Sequence, residues 1–206
     1  FFLGDIFEMS AAVQSGIPYG IKYAHLHGGE TTLGAIDNIY RHVISHSSKL
    51  HFVSLDQFKF RIAQLLSSTQ NNCYVVGSLS LENLKEVKLL SKIEFFEKWK
   101  IDLNKKSILI TIHPETVNFR ENENYSNQVY SALKIIGVDK QLIITMPNAD
   151  TSGTIYREMF KKLKLELGHN IILIENFGTQ SYFTCMKYCG LMIGNTSSGI
   201  TEAASF

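Results

Sequence analysis

Short apolar runs closed by glycine or polar residues recur along this chain. Each is followed by a segment with apolar residues at helical spacing, and this alternation limits the possible folds more than any other feature. The clearest run is Ser107 to Ile112 (SILITI), with Gln141 to Met146 (QLIITM), Asn170 to Ile174 and Leu191 to Ile193 after it. Such runs lack polar alternation, as expected of strands covered on both faces. Tyr125 to Ile136, Ser152 to Leu167 and Ser181 to Tyr188 read as the helices between them. The first half repeats the theme. A strand tail at Phe1 to Gly4 precedes a helix from Ile6 to Ser15, stopped by Gly16-Ile17-Pro18. A strand over Gly20 to Leu26, a helix from Asp37, a β-like run at His51 to Ser54, a helix over Leu55 to Leu66 and a buried strand over Cys73 to Val76 follow. Strands alternating with helices predict an α/β fold with parallel sheets. The reading divides the chain into 1–80 and 81–206, the second part opening with Lys- and Glu-rich solvated helices between Leu79 and Asn104.

Composition narrows the function classes. The 206 residues carry 20 Lys and Arg against 19 Asp and Glu, so no basic footprint for nucleic acid is expected. No apolar run is long enough for a bilayer span, so no membrane role is expected. Three cysteines, an odd number, suit a reducing compartment, and a cytoplasmic location is expected. Cys185 and Cys189, four apart on a probable helix, are expected to be small buried residues rather than half of a metal site. The ends, Phe1-Phe2-Leu3-Gly4 and Glu202-Ala203-Ala204-Ser205-Phe206, read as interrupted elements, so the chain is expected to be an internal piece of a longer protein.

The densest chemistry lies between His25 and His42 (HLHGGETTLGAIDNIYRH). In a strand, His25 and His27 would share a face, and Gly28-Gly29 would end it and admit a close neighbour. Asp37 opens the next helix, where a carboxylate is favoured, and Arg41, four residues on, is placed to pair with it. His42 and His46 share a helix face and read as surface residues, and no metal site is assigned. Asp5, at a strand end, is either a turn cap or a catalytic carboxylate. The segment Gly194 to Glu202 (GNTSSGITE) follows a strand and opens a helix, a setting suited to phosphate, and Glu202 could accept bonds from ribose hydroxyls. His113, just past a buried strand, could carry a proton or a charge at the lip of a cleft.

Together, GDIFEM at 4–9, HLHGGETTLGAIDNIYRHVIS at 25–45, IHPET at 112–116, MPNAD at 146–150 and GNTSSGITEAASF at 194–206 resemble the UDP-N-acetylglucosamine 2-epimerases. The match is to the hydrolysing branch of sialic-acid and legionaminic-acid synthesis. The resemblance implies two Rossmann-like domains facing a cleft, the GT-B arrangement, both incomplete here. It also implies a hydrolase that needs no cofactor. Such an enzyme converts UDP-N-acetylglucosamine and water to N-acetylmannosamine and UDP, through elimination of UDP and hydration of a glucal. UDP-N,N′-diacetylbacillosamine, a non-hydrolysing epimerisation, and a non-catalytic UDP-sugar-binding module are the alternatives. By the resemblance, Asp5, Asp37 and His113 take part in the chemistry. His25, Asn148, Phe177, Asn195, Ser197, Ser198 and Glu202 hold the substrate, with Ser197 and Ser198 on phosphate and Glu202 on ribose. Several branches carry glutamate where this chain has His27, so either His27 or Glu30 fills that role. The UDP-sugar is the expected partner, and the full-length protein is expected to be a homo-oligomer.

Overall fold

The computed structural model describes residues 1–67, 72–147 and 153–206. Asn148, and with it the 148–150 part of the MPNAD motif, lies outside the described residues. The chain forms two compact units, Phe1–Leu81 and Glu82–Phe206, each an α/β body built on a four-stranded sheet.

In the first unit the strands are β1 (Phe2–Leu3), β2 (Tyr23–Leu26), β3 (Ser48–Val53) and β4 (Cys73–Val75), parallel and adjacent in chain order. The helices are α1 (Phe7–Gly16), α2 (Asp37–Ser47) and α3 (Asp56–Leu66). Tyr23 packs with Val13 of α1 and Ile44 of α2, while Val53 and Cys73 pack against Ile62 of α3. The helices thus cover the face to which Tyr23, His25, His51 and Val53 point. The opposite face carries an aromatic stack, Phe1 on Phe52 and Phe52 on Tyr74, with centroids 6.3 and 5.7 Å apart. β4 was expected to be buried, but only Cys73 is. Tyr74 and Val75 are exposed because β4, among the described residues, pairs with β3 alone.

Helix α4 (Leu79–Glu86) crosses the boundary, and α5 (Lys92–Trp99) opens on a capping box between Ser91 and Glu94. The second sheet contains β5 (Ser107–Thr111), β6 (Gln141–Thr145), β7 (Ile171–Ile174) and β8 (Leu191–Gly194) in the order β7-β6-β5-β8, all parallel. Every residue of β5 is buried, as its unbroken apolar character requires. Its residues alternate between two cores. Ile108 and Ile110, with Leu142 and Ile144, meet α6 (Asn122–Ile136) and α7 (Gly153–Leu167). Leu109 and Ile143 meet Phe95 of α5 and Cys185 and Met186 of α8 (Gly178–Tyr188). The chain steps outward from β5 to β6 and β7, then returns to place β8 on the other side of β5. The carboxyl ends of β5 and β8 therefore flank the point where strand order reverses, the usual ligand position in open α/β sheets. A short helix, α9 (Ser198–Thr201), follows β8.

Candidate functional site

The first unit gathers Asp5, His25, His27, Glu30, Asp37 and Arg41 at the carboxyl ends of β1 and β2. His25 lies fully inside and uses both ring nitrogens, Nδ1 2.9 Å from Ser45 Oγ and Nε2 2.8 Å from the Gly4 carbonyl. A carbonyl can only accept, so Nε2 carries the proton and Nδ1 accepts from the Ser45 hydroxyl. Burial holds the His25 pKa down to about 4, so the ring is neutral. The bond to Gly4 pins the turn that presents Asp5. This corrects the expectation that His25 touches substrate, because the ring has neither an open nitrogen nor exposure.

Nor do His25 and His27 share a strand face. β2 ends at Leu26, and His27 turns out of it with φ 63°, while its N–H still donates to the Phe52 carbonyl at 2.8 Å. A side chain held in this sparsely populated region marks a place where the surroundings dictate conformation. His27 Nδ1 lies 2.7 Å from Glu30 Oε1, which also accepts from Ser54 Oγ at 2.8 Å. Burial pushes the Glu30 pKa up, but the bonds from His27 and Ser54 outweigh it and hold the carboxyl below its ordinary value. The glycines between them are pressed onto α3. A Cβ on Gly29 would sit 2.6 Å from the Phe58 carbonyl, and Arg61 of α3 donates to the Gly29 carbonyl at 2.8 Å.

Arg41 is buried and pairs with Asp5, 36 residues away, rather than with Asp37 as its spacing suggested. Its other end donates to Asn38 Oδ1 at 3.2 Å, and Asn38 in turn clasps the Thr32 backbone, its Oδ1 accepting from the N–H at 2.9 Å and its Nδ2 donating to the carbonyl at 2.6 Å. The Asp37 pKa is raised, first by burial and then by the negative charge of Asp5, with Arg41 opposing. Asp5 and Asp37 thus form two interacting carboxylates beside one guanidinium. Sequence reasoning missed Ser45, Ser54, Asn38 and Arg61. Ser54 had a usable signal, since it directly follows a strand of the same parallel sheet. His42 and His46 are exposed on α2.

In the second unit, Asn195, just past β8, closes a two-way clasp on His113, just past β5. Its Oδ1 accepts from the His113 N–H and its Nδ2 donates to the His113 carbonyl, both at 2.8 Å. The His113 ring is exposed at this junction. Gly194 lies so close to Thr111 that a Cβ would fall 1.8 Å from its carbonyl oxygen. Ser197 and Ser198 open α9, with Ser197 exposed and Ser198 half-buried. Glu202 is buried, and its Oε2 has no hydrogen-bond partner among the described residues. A buried carboxylate oxygen without a donor is costly, and a ligand hydroxyl would relieve it. Phe177 is not available to stack on a base, because its ring is enclosed by Trp99 and Phe95, at centroid distances of 4.7 and 5.7 Å. Among the described residues no three His, Cys, Asp or Glu side chains are grouped to hold a metal. No helix there is long and apolar enough to cross a membrane.

Three comparisons complement this geometry. The chain is 37% identical over 206 residues, 99% of its length, to "GDP/UDP-N,N'-diacetylbacillosamine 2-epimerase (hydrolyzing)" of Campylobacter jejuni, covering 53% of that protein. It is 32% identical over 206 residues to the "UDP-N,N'-diacetylbacillosamine 2-epimerase (hydrolyzing)" of Legionella pneumophila, covering 99% of this chain and 52% of that protein. The crystal structure of a UDP-GlcNAc 2-epimerase from Neisseria meningitidis bound to UDP-GlcNAc shares the fold, with a TM-score of 0.71 at 20% identity over 94% of this chain and 53% of that one. The chain thus spans about half the length of the relatives it matches. The family model described as UDP-N-acetylglucosamine 2-epimerase matches residues 1–206, the whole chain, and the protein belongs to that family.

Proposed function

We propose that the intact protein is a hydrolysing UDP-sugar 2-epimerase. It would expel UDP from C1 as the C2 proton is removed, and water would then add across the resulting double bond with inversion at C2. The observation that carries this reading is the gathering of Asp5, His27, Glu30 and Asp37 at one sheet edge around the buried Arg41. Two proton transfers at a sugar carbon need groups that differ in proton affinity, and these environments differ in that way. In the second unit, His113, Asn195, Ser197 and Ser198 are assigned to the diphosphate and Glu202 to the ribose hydroxyls. The Oε2 atom without a donor supports the ribose assignment. Asn148 keeps its assignment near the nucleotide. Phe177 is given only a backbone role there.

For the substrate, UDP-N-acetylglucosamine follows from the motif resemblance, while the names of the Campylobacter and Legionella relatives favour UDP-N,N′-diacetylbacillosamine. The full-length protein should be incubated with each and the products resolved. Free 2-epimeric sugar plus UDP from one of them supports the reading. A UDP-linked epimer would make the protein a non-hydrolysing enzyme, and binding without turnover of either would leave a UDP-sugar-binding module.

A further inference from the structure

We infer that His27 is the base that takes the sugar C2 proton, with Glu30 and Ser54 as positioning residues that fix its tautomer; this rests on the epimerase reading above. Glu30 Oε1 accepts from Ser54 Oγ at 2.8 Å, and His27 Nδ1 stands 2.7 Å from the same oxygen. The carboxylate can only accept, so Nδ1 carries the ring proton and the lone pair resides on Nε2. A second contact agrees: the Leu79 N–H points to Nε2 at 3.5 Å, a bond that only an unprotonated Nε2 can accept. At that length it is weak, so the lone pair is available to a reacting C–H. The left-handed backbone at His27, φ 63°, swings the ring out of β2 to meet Glu30. A neutral histidine oriented through Nδ1 by a carboxylate is a recurrent base in proton transfer.

In the elimination, Nε2 takes the C2 proton and the C2–H electron pair becomes the C1–C2 double bond. The C1–O bond breaks and UDP leaves with its electron pair. The imidazolium that forms is paired with the Glu30 carboxylate. The other titratable groups around the pair are His25 on β2, which interacts with the ring, Arg41 on α2, which acts on Glu30, and Arg61 on α3, which donates to the Gly29 carbonyl between them, with His51 on β3 beside His25. His25 and His51 have pKa values held down by burial, so Glu30, Arg41 and Arg61 carry the charges around the pair.

The test uses full-length protein labelled with ¹⁵N at histidine, with the His27 signal assigned by its loss in His27→Gln. The expected spectrum of the neutral ring shows Nδ1–H and an unprotonated Nε2. With the turned-over UDP-sugar, Glu30→Gln should lower kcat by about 10²-fold or more, leave KM nearly unchanged, and move the acidic limb of the kcat profile to lower pH. The limb moves down because loss of the negative charge destabilises the imidazolium. A Nε2–H tautomer in the wild-type spectrum overturns the inference, as does a Glu30→Gln enzyme with unaltered kcat and pH limb. If the wild type releases no UDP from either sugar nucleotide, the epimerase reading fails instead, and the spectrum still decides the tautomer.

Discussion

His25 and His27 stand two residues apart and have opposite surroundings. His25 is sealed between Ser45 and the Gly4 carbonyl, and its low pKa makes it a pH-sensitive part of the fold. The unfolded chain binds a proton at His25 near pH 6.5, whereas the folded chain does so only near 4. Between those values the unfolded state holds more protons, so stability is full above about pH 6.5 and falls as the pH drops toward 4. The interval corresponds to at most about 3 kcal/mol. His51 acts in the same direction. Thermal unfolding followed from pH 7 to pH 4 should show a falling Tm. His25→Asn should be less stable at pH 7, with a shallower pH dependence; an unchanged slope would remove His25 as its source. At this scale the sequence singled out most of the ionisable residues that gather at the sheet edge but misjudged their partners. Spacing suggested Arg41 with Asp37 and His25 with His27. The partners realised, Arg41 with Asp5 and His25 with Gly4 and Ser45, lie 20 to 36 residues apart in the chain. Local periodicity carries no information about such pairs.

The strands were legible because β5 and β6 are unbroken apolar runs sandwiched between two helical layers. Sheet order was not, since nothing in the periodicity of Leu191 to Ile193 says that it returns to lie beside β5. The signal lies in the contact itself: Gly194 meets Thr111 so closely that no side chain fits. Gly194→Ala must push the end of β8 away from β5 and disturb the Asn195–His113 clasp. The expected cost is about 1–3 kcal/mol, read as a lower Tm, together with weaker UDP binding by calorimetry. Normal stability with normal UDP affinity would show that this junction does not shape the proposed nucleotide site. The exposure of Tyr74 and Val75 in β4 follows the same logic, since a pattern of apolar residues does not reveal which strand has a neighbour on only one side.

For the whole molecule, the likeness of the motifs to the 2-epimerases, spread from Asp5 to Phe206, is matched by a family model covering all 206 residues. What the letters leave open is the sugar, because Asp5, His27, Glu30 and Asp37 are assigned to C1 and C2, and the proposed substrates differ at C4 and C6. Within the second unit the buried Glu202 keeps one oxygen without a donor among the described residues and the Asn195–His113 clasp follows β5 and β8, while the first unit gathers its Arg41–Asp5 and His27–Glu30 pairs at one sheet edge, and the proposed function rests on these arrangements. The most direct measurement runs the full-length protein with each proposed UDP-sugar in D₂O and examines the product by NMR. Elimination followed by hydration predicts free 2-epimeric sugar with one solvent deuterium at C2, formed in step with UDP. A product still bound to UDP, or a free sugar that keeps its original hydrogen at C2, would contradict it.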